Sequence, residues 1–118
     1  MKREMERDYP LTDKVYTRDE LIAVLRECGK RFNIPTLYLF GSYARGDATP
    51  ESDVDVIYDG RNLRGLFESS NARLYLCDQL GKDVDWVPLD GFLQEMHEPY
   101  RASFVNAVMK DRVVIDVQ

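Results

Sequence analysis

The segment Gly41-Ser42-Tyr43-Ala44-Arg45-Gly46, with Ser52-Asp53-Val54-Asp55-Val56 behind it, decides how this chain is read. An apolar run, Thr36-Leu37-Tyr38-Leu39-Phe40, ends in the Gly-Ser turn. Asp53 and Asp55 then open a second apolar run. Residues i and i+2 of a strand point to one side, about 7 Å apart, so two carboxylates can converge on a shared ion. Glycine lets backbone approach a phosphate closely, and the free amides at a helix start favour anions. The Ser42 hydroxyl and the Arg45 guanidinium can add hydrogen bonds to phosphate oxygens. Each half of the segment is ordinary alone. Gly and Ser dominate turns, with Ser42 a candidate N-cap. Acidic residues alternating with apolar ones are common on half-buried strands, and Arg45 can equally pair with Asp47 or Glu51. Strand, turn, short helix, loop and strand in succession bring the halves together, and the whole points to metal-assisted chemistry on a nucleoside triphosphate.

Upstream, Thr17 and Glu20 form a capping-box pattern at the start of a helix over 18–32. Leu21, Leu25, Cys28 and Phe32 make its apolar stripe. Residues 1–16, charged and broken by Pro10, read as an N-terminal arm, and 17–118 as a single domain. Downstream, the strand over 53–58 ends at Asp59-Gly60. A helix over 62–80 follows, with Leu63, Phe67, Ser70, Leu74 and Cys77 as its stripe and Gly81 as its stop. Asp83-Val84-Asp85-Trp86-Val87 is a third strand. A helical region over 90–108, broken near Pro99, presents Leu93, Met96, Tyr100, Phe104 and Ala107 to the core. Arg112 to Val117 is a last β-branched run. These elements predict an α+β fold, a mixed β-sheet with helices packed on one face. Strand alternation puts Asp53, Asp55, Asp83 and Asp85 on the other face, with Asp83 and Asp85 both open as a third acid.

The chain has 118 residues, 44% of them apolar and 31% charged, values that suit one soluble globular domain. No apolar run approaches the roughly 18 residues of a membrane span. Met1 to Asp8 lacks the apolar core of a secretory signal. A cytoplasmic protein without a membrane partner is expected. Cys28 and Cys77 lack a C-x-x-C pattern and read as buried, reduced thiols. His97 has no His or Cys at ligand spacing, which speaks against zinc. A formal net charge of −5 speaks against direct nucleic-acid binding. The acidic excess is local, with Asp47, Glu51, Asp53, Asp55 and Asp59 close in sequence, and a divalent cation would neutralise it.

Gly41 to Gly46 with Ser52-Asp53-Val54-Asp55 resembles the minimal nucleotidyltransferases of the polymerase-beta-like superfamily, the MNT group. The resemblance extends over about residues 18–117 and includes Val84-Asp85-Trp86-Val87, similar to the family's third acidic strand. It implies catalysis and metal binding by Asp53, Asp55 and Asp85 with two Mg2+ ions, and nucleotide binding by Gly41, Ser42 and Arg45, with ATP as substrate. Asp83 competes with Asp85, although the apolar flanks Val84 and Trp86 fit the family pattern around Asp85. The MNT group is similar to antitoxins encoded beside HEPN-family ribonuclease toxins. The resemblance therefore implies a hetero-oligomer with such a toxin and transfer of AMP from ATP to a hydroxyl, a tyrosine, of that toxin. Two other readings are an antitoxin that acts by binding alone and a homodimeric antibiotic-type nucleotidyltransferase.

Overall fold

Apolar strand residues here alternate faces, and both faces carry enough of them to require cover. The computed structural model describes residues 9–95, 98 and 101–117; Met96, His97, Pro99 and Tyr100, and the first eight residues of the arm, lie outside that range. In chain order the elements are α1 (Arg18–Phe32), β1 (Thr36–Phe40), α2 (Gly41–Arg45), β2 (Val54–Tyr58), α3 (Gly65–Leu80), β3 (Val84–Pro88), α4 (Leu89–Gln94), α5 (Ala102–Asp111) and β4 (Val113–Asp116). The strands form one mixed sheet in the order β3-β2-β1-β4. β1 pairs antiparallel with both β2 and β4. β2 and β3 run parallel, with α3 as the crossover that a parallel pair needs.

α1 begins where its sequence says. The Glu20 amide donates to the Thr17 hydroxyl at 3.1 Å, and the Glu20 carboxylate accepts from the Thr17 amide at 2.9 Å. Leu21, Leu25 and Cys28 are buried beneath it. They meet Leu37, Leu39, Val54, Val56, Val84 and Ile115 from the sheet, and Ala72, Leu76, Cys77 and Leu80 from α3, in the larger core. Cys28 and Cys77 are both buried free thiols, and burial pushes the Cys28 thiol up to about 12.

Two helical stripes differ from expectation. On α3 the buried residues are Ala72, Leu76, Cys77 and Leu80. Phe67 is 81% exposed and Leu74 is exposed too. Gly65, at φ +76°, starts the helix later than the stripe assumes, and the strongly apolar first turn projects outward. In the C-terminal region, Phe92, Val105 and Val108 are the buried residues, whereas Leu93, Phe104 and Ala107 are exposed. The break between α4 and α5 resets the helical phase, so a stripe drawn through 90–108 lands one residue off.

The sheet is mixed and the fold α+β, as expected, and α1 and α3 cover one face. A second, smaller layer is an addition to that reading. α4 and α5 pack on the opposite face, where Phe40 and Ile57, with Tyr38 and Val87, meet Phe92, Val105 and Val108. Those sheet residues are apolar and alternate with the first set, so leaving them in water would be unfavourable. Asp55 and Asp85 lie on this same face, at the end that α4 leaves open.

Residues 9–16 run across the turn between α3 and β3. The Tyr9 ring is buried, and its hydroxyl donates to Asp83. The Thr12 amide donates to the Gly81 carbonyl at 2.9 Å, and the Tyr16 hydroxyl to the Leu80 carbonyl at 2.5 Å.

Candidate active site

The site forms where β1 ends and β2 and β3 begin. Antiparallel register sets Phe40 opposite Asp55. Parallel register sets Asp55 directly opposite Asp85. The chain leaves β1 at Gly41, whose φ of +72° turns it into α2 over the carboxylates. A Cβ added to Gly41 would lie 2.1 Å from Asp55 Oδ2. Glycine is therefore required twice here, for the backbone angle and for the approach. Phe40, with no side-chain cap bond, is the N-cap of α2, so Ser42 does not fill the capping role considered for it.

A cavity of about 410 Å³ opens at this point. Gly41, Arg45, Asp55 and Asp85 line one side, and Phe104, Ala107, Val108 and Asp111 of α5 line the other. Burial pushes the Asp55 carboxyl up to about 6, with the charges of Asp85 and Asp53 adding to the rise and Arg45 opposing it. Arg45 is exposed, and its Nε reaches Asp47 at 3.3 Å, so the pairing with Asp47 coexists with a place in the cavity wall.

The four aspartates separate into two pairs. Asp55 and Asp85 share the cavity below Gly41. Asp53 and Asp83 line a neighbouring cavity with Glu51, Ser52 and Lys82. Asp83 accepts the Tyr9 hydroxyl, whereas Asp85 is exposed toward Asp55's side. Asp53 is close enough to act on the charge of Asp55 but does not line the same cavity. Trp86 turns to the other face, where it stacks on Tyr58 with centroids 4.1 Å apart and donates to the Ser69 hydroxyl at 3.0 Å.

The donor chemistry suits magnesium. That ion takes oxygen ligands and often uses one or two protein carboxylates together with phosphate oxygens. Asp55 and Asp85 supply hard oxygens to one cavity, and the burial that raises the Asp55 pKa, with the charges of Asp85 and Asp53 behind it, marks a place where a cation would stabilise the ionised form. Among the described residues no group of three or more His, Cys, Asp or Glu is gathered to hold a metal. An ion held there would draw further ligands from substrate or water.

Two features were missed from sequence. One is the α5 wall, because Phe104 and Ala107 read as core positions. The other is Lys82, 3% exposed, whose Nζ donates to the carbonyls of Thr12 at 3.0 Å and Pro50 at 2.6 Å. Its signal was a lone cation between a helix-ending glycine and Asp83, which is too common to single out. Among the described residues no helix is long and apolar enough to cross a membrane.

A mixed sheet with two in-register carboxylates under a glycine turn is the architecture of a nucleotidyltransferase-type fold. Residues 21–115 match the model of the nucleotidyltransferase domain, and the chain belongs to that family. It is 35% identical over 75 residues to the protein adenylyltransferase MntA of Thermococcus cleftensis, covering 60% of this chain and 76% of the relative. It is 33% identical over 90 residues to a proposed protein adenylyltransferase of Methanocaldococcus jannaschii, covering 71% of this chain and 86% of the relative. Among solved structures, a toxin–antitoxin with AMP-PNP superposes with a TM-score of 0.61 at 18% identity, over 82% of this chain and 73% of that one. A mutant MntA-HpeT toxin–antitoxin superposes with a TM-score of 0.57 at 18% identity, over 87% of this chain and 75% of that one. These two share the fold.

Proposed function

We propose that this protein transfers AMP from ATP to a hydroxyl, a tyrosine, of a partner HEPN-family ribonuclease toxin, and thereby acts as its antitoxin. The observation that carries the reading is the in-register pair Asp55 and Asp85 beneath Gly41, where a side chain would collide with Asp55. The adenylyltransferase relatives, which the chain matches over most of their length, support the same chemistry.

In this reading Gly41 and Ser42 receive the β- and γ-phosphates, and Arg45 adds a cationic contact. Asp55 and Asp85, with Asp53 drawn in from the adjoining cavity, would hold two Mg2+ ions, and these would supply neutralisation of the charge on attacking and leaving oxygens. Asp85, the more open acid of the facing pair, takes the proton of the acceptor hydroxyl. The acceptor oxygen bonds to the α-phosphorus, the bond from that phosphorus to the bridging oxygen of pyrophosphate breaks, and pyrophosphate leaves.

The test is incubation with α-labelled ATP, magnesium and the toxin encoded beside it. Label should appear on a toxin tyrosine as ribonuclease activity falls. An intact toxin that binds this protein and takes no label overturns the transfer reading. If it is nonetheless neutralised, antitoxin action is by binding alone.

A further inference from the structure

The cavity below Gly41 does not stop at the acids. Its far wall is one stripe of α5, formed by Phe104, Ala107, Val108 and Asp111. β4 follows α5 directly and pairs with β1, with Val113 opposite Leu39. Continuing that register brings the end of α5, at Asp111, alongside Gly41. Phe104 is seven residues earlier, about 10 Å up the helix axis at 1.5 Å per residue. The cavity thus has a polar end at the glycine turn and an aromatic end at Phe104.

Phe104 is 50% exposed, although its neighbours Val105 and Val108 are buried. A phenylalanine in that setting is not serving the core. The Arg101 guanidinium lies over one side of its ring, 5.0 Å from the centroid, and pairs with Glu95 at 3.0 Å. An exposed aromatic ring at a cavity wall offers a flat surface to a flat ligand.

We propose that Phe104 is the platform on which the nucleotide's base stacks, making the upper part of α5 the base subsite. The proposal rests on the nucleotide-transfer reading and adds the residue that holds the base. With phosphates at Gly41 and the α-phosphate beside Asp55, the ribose spans the interval and the base reaches the ring. Stacking reads the size of a π-face and not its hydrogen-bonding edge. The site therefore favours purine over pyrimidine nucleotides, and Phe104 does not itself separate ATP from GTP. An acceptor side chain is the competing occupant of the ring, and the binding experiment distinguishes the two because it contains no acceptor.

The experiment compares equilibrium binding of ATP, UTP and inorganic tripolyphosphate to the full chain, in magnesium, for the wild type, Phe104→Ala and Phe104→Trp. Wild type should bind all three, ATP more tightly than UTP. Phe104→Ala should weaken ATP about 10- to 100-fold, narrow the gap between ATP and UTP, and leave tripolyphosphate unchanged. Phe104→Trp should restore ATP binding. Equal weakening of ATP and tripolyphosphate by Phe104→Ala would mean a damaged wall and overturns the proposal. Unchanged ATP binding in Phe104→Ala overturns it too, and assigns the ring to the acceptor if transfer nonetheless falls. Failure of wild type to bind either ATP or tripolyphosphate removes the nucleotide reading itself, and the base platform with it.

Discussion

Gly41 has no Cβ, and the Asp55 carboxylate occupies the space a Cβ would need. That contact leaves Asp55 shielded from water by the backbone above it, which is why burial leads the causes of its raised pKa. The carboxyl titrates near 6 in the folded chain, against about 3.9 in an unfolded one. The native state therefore holds this proton more tightly than the unfolded state does. Its contribution to stability is complete below about pH 4 and is lost as pH rises through 6. Asn imitates the protonated form at every pH. In chelator, Asp55→Asn should melt higher than wild type above pH 7, with the difference closing toward pH 4. Solvent screening of a partly exposed group reduces the gain to about 1 kcal/mol, or roughly 5 °C. The same variant should lose transfer activity by at least about 100-fold, since Asp55 is at the centre of the acid group. Thermal melts across pH check the first claim, and a stability difference independent of pH would refute it.

At the scale of elements, Lys82 ties together three segments that no helix or strand joins. Its ammonium bonds the Thr12 carbonyl of the arm and the Pro50 carbonyl of the loop leading to Asp53, from a position two residues before β3. Lys82→Met keeps most of the stem and removes the donors. Loss of two hydrogen bonds to a charged group, each worth about 1.5–3 kcal/mol, should lower stability by about 3 kcal/mol or more. Because the loop carries Asp53, the variant should also need more magnesium for half-maximal transfer, while ATP at saturating magnesium binds as before. Denaturant midpoints and magnesium titrations measure the two effects; an unchanged magnesium requirement would leave Lys82 a purely stabilising strut. The elements themselves were largely legible, because each carries a local signal. The Thr17–Glu20 box starts α1, Gly81 at φ +63° ends α3, and Val-Asp alternation writes β2 and β3. The face each helix buries was less legible. A stripe is only as good as its phase: the break after α4 resets it for α5, and on α3 the apolar Phe67 and Leu74 lie off the buried line of Ala72, Leu76, Cys77 and Leu80. Asp55 and Asp85 could be named from the motif and its resemblance, but their register is a pairing between strands separated by α3, and no local signal encodes it. Phe104 was visible only as an apolar residue, since an exposed aromatic and a core aromatic look alike in one dimension.

The whole molecule is asymmetric about its sheet. On one face, α1 and α3 close a large core in which Leu21, Leu25, Leu37, Leu39, Val54, Val56, Leu76 and Leu80 are almost wholly buried. On the other, α4 and α5 rest on the smaller set of Phe40, Ile57, Phe92, Val105 and Val108, with the acid cavity beneath the same layer. Local opening free energy follows the apolar contact a segment would lose. The α4–α5 layer should therefore open well below the global unfolding free energy, whereas α1, α3 and the central strands exchange only on global unfolding. The α5 wall of the acid cavity belongs to this weaker layer, so in the proposed nucleotide site it is the side with more freedom to move. Native-state hydrogen exchange tests both statements at once. Amides of α5 should exchange faster than those of α1 in the free protein. ATP with magnesium should slow α5 most, and by more than the uniform increase that mass-action stabilisation gives to globally exchanging amides, about 2.7 kcal/mol at a hundredfold excess over Kd. Equal protection of α1 and α5 by the nucleotide would show that the wall is rigid and that the two layers unfold as one.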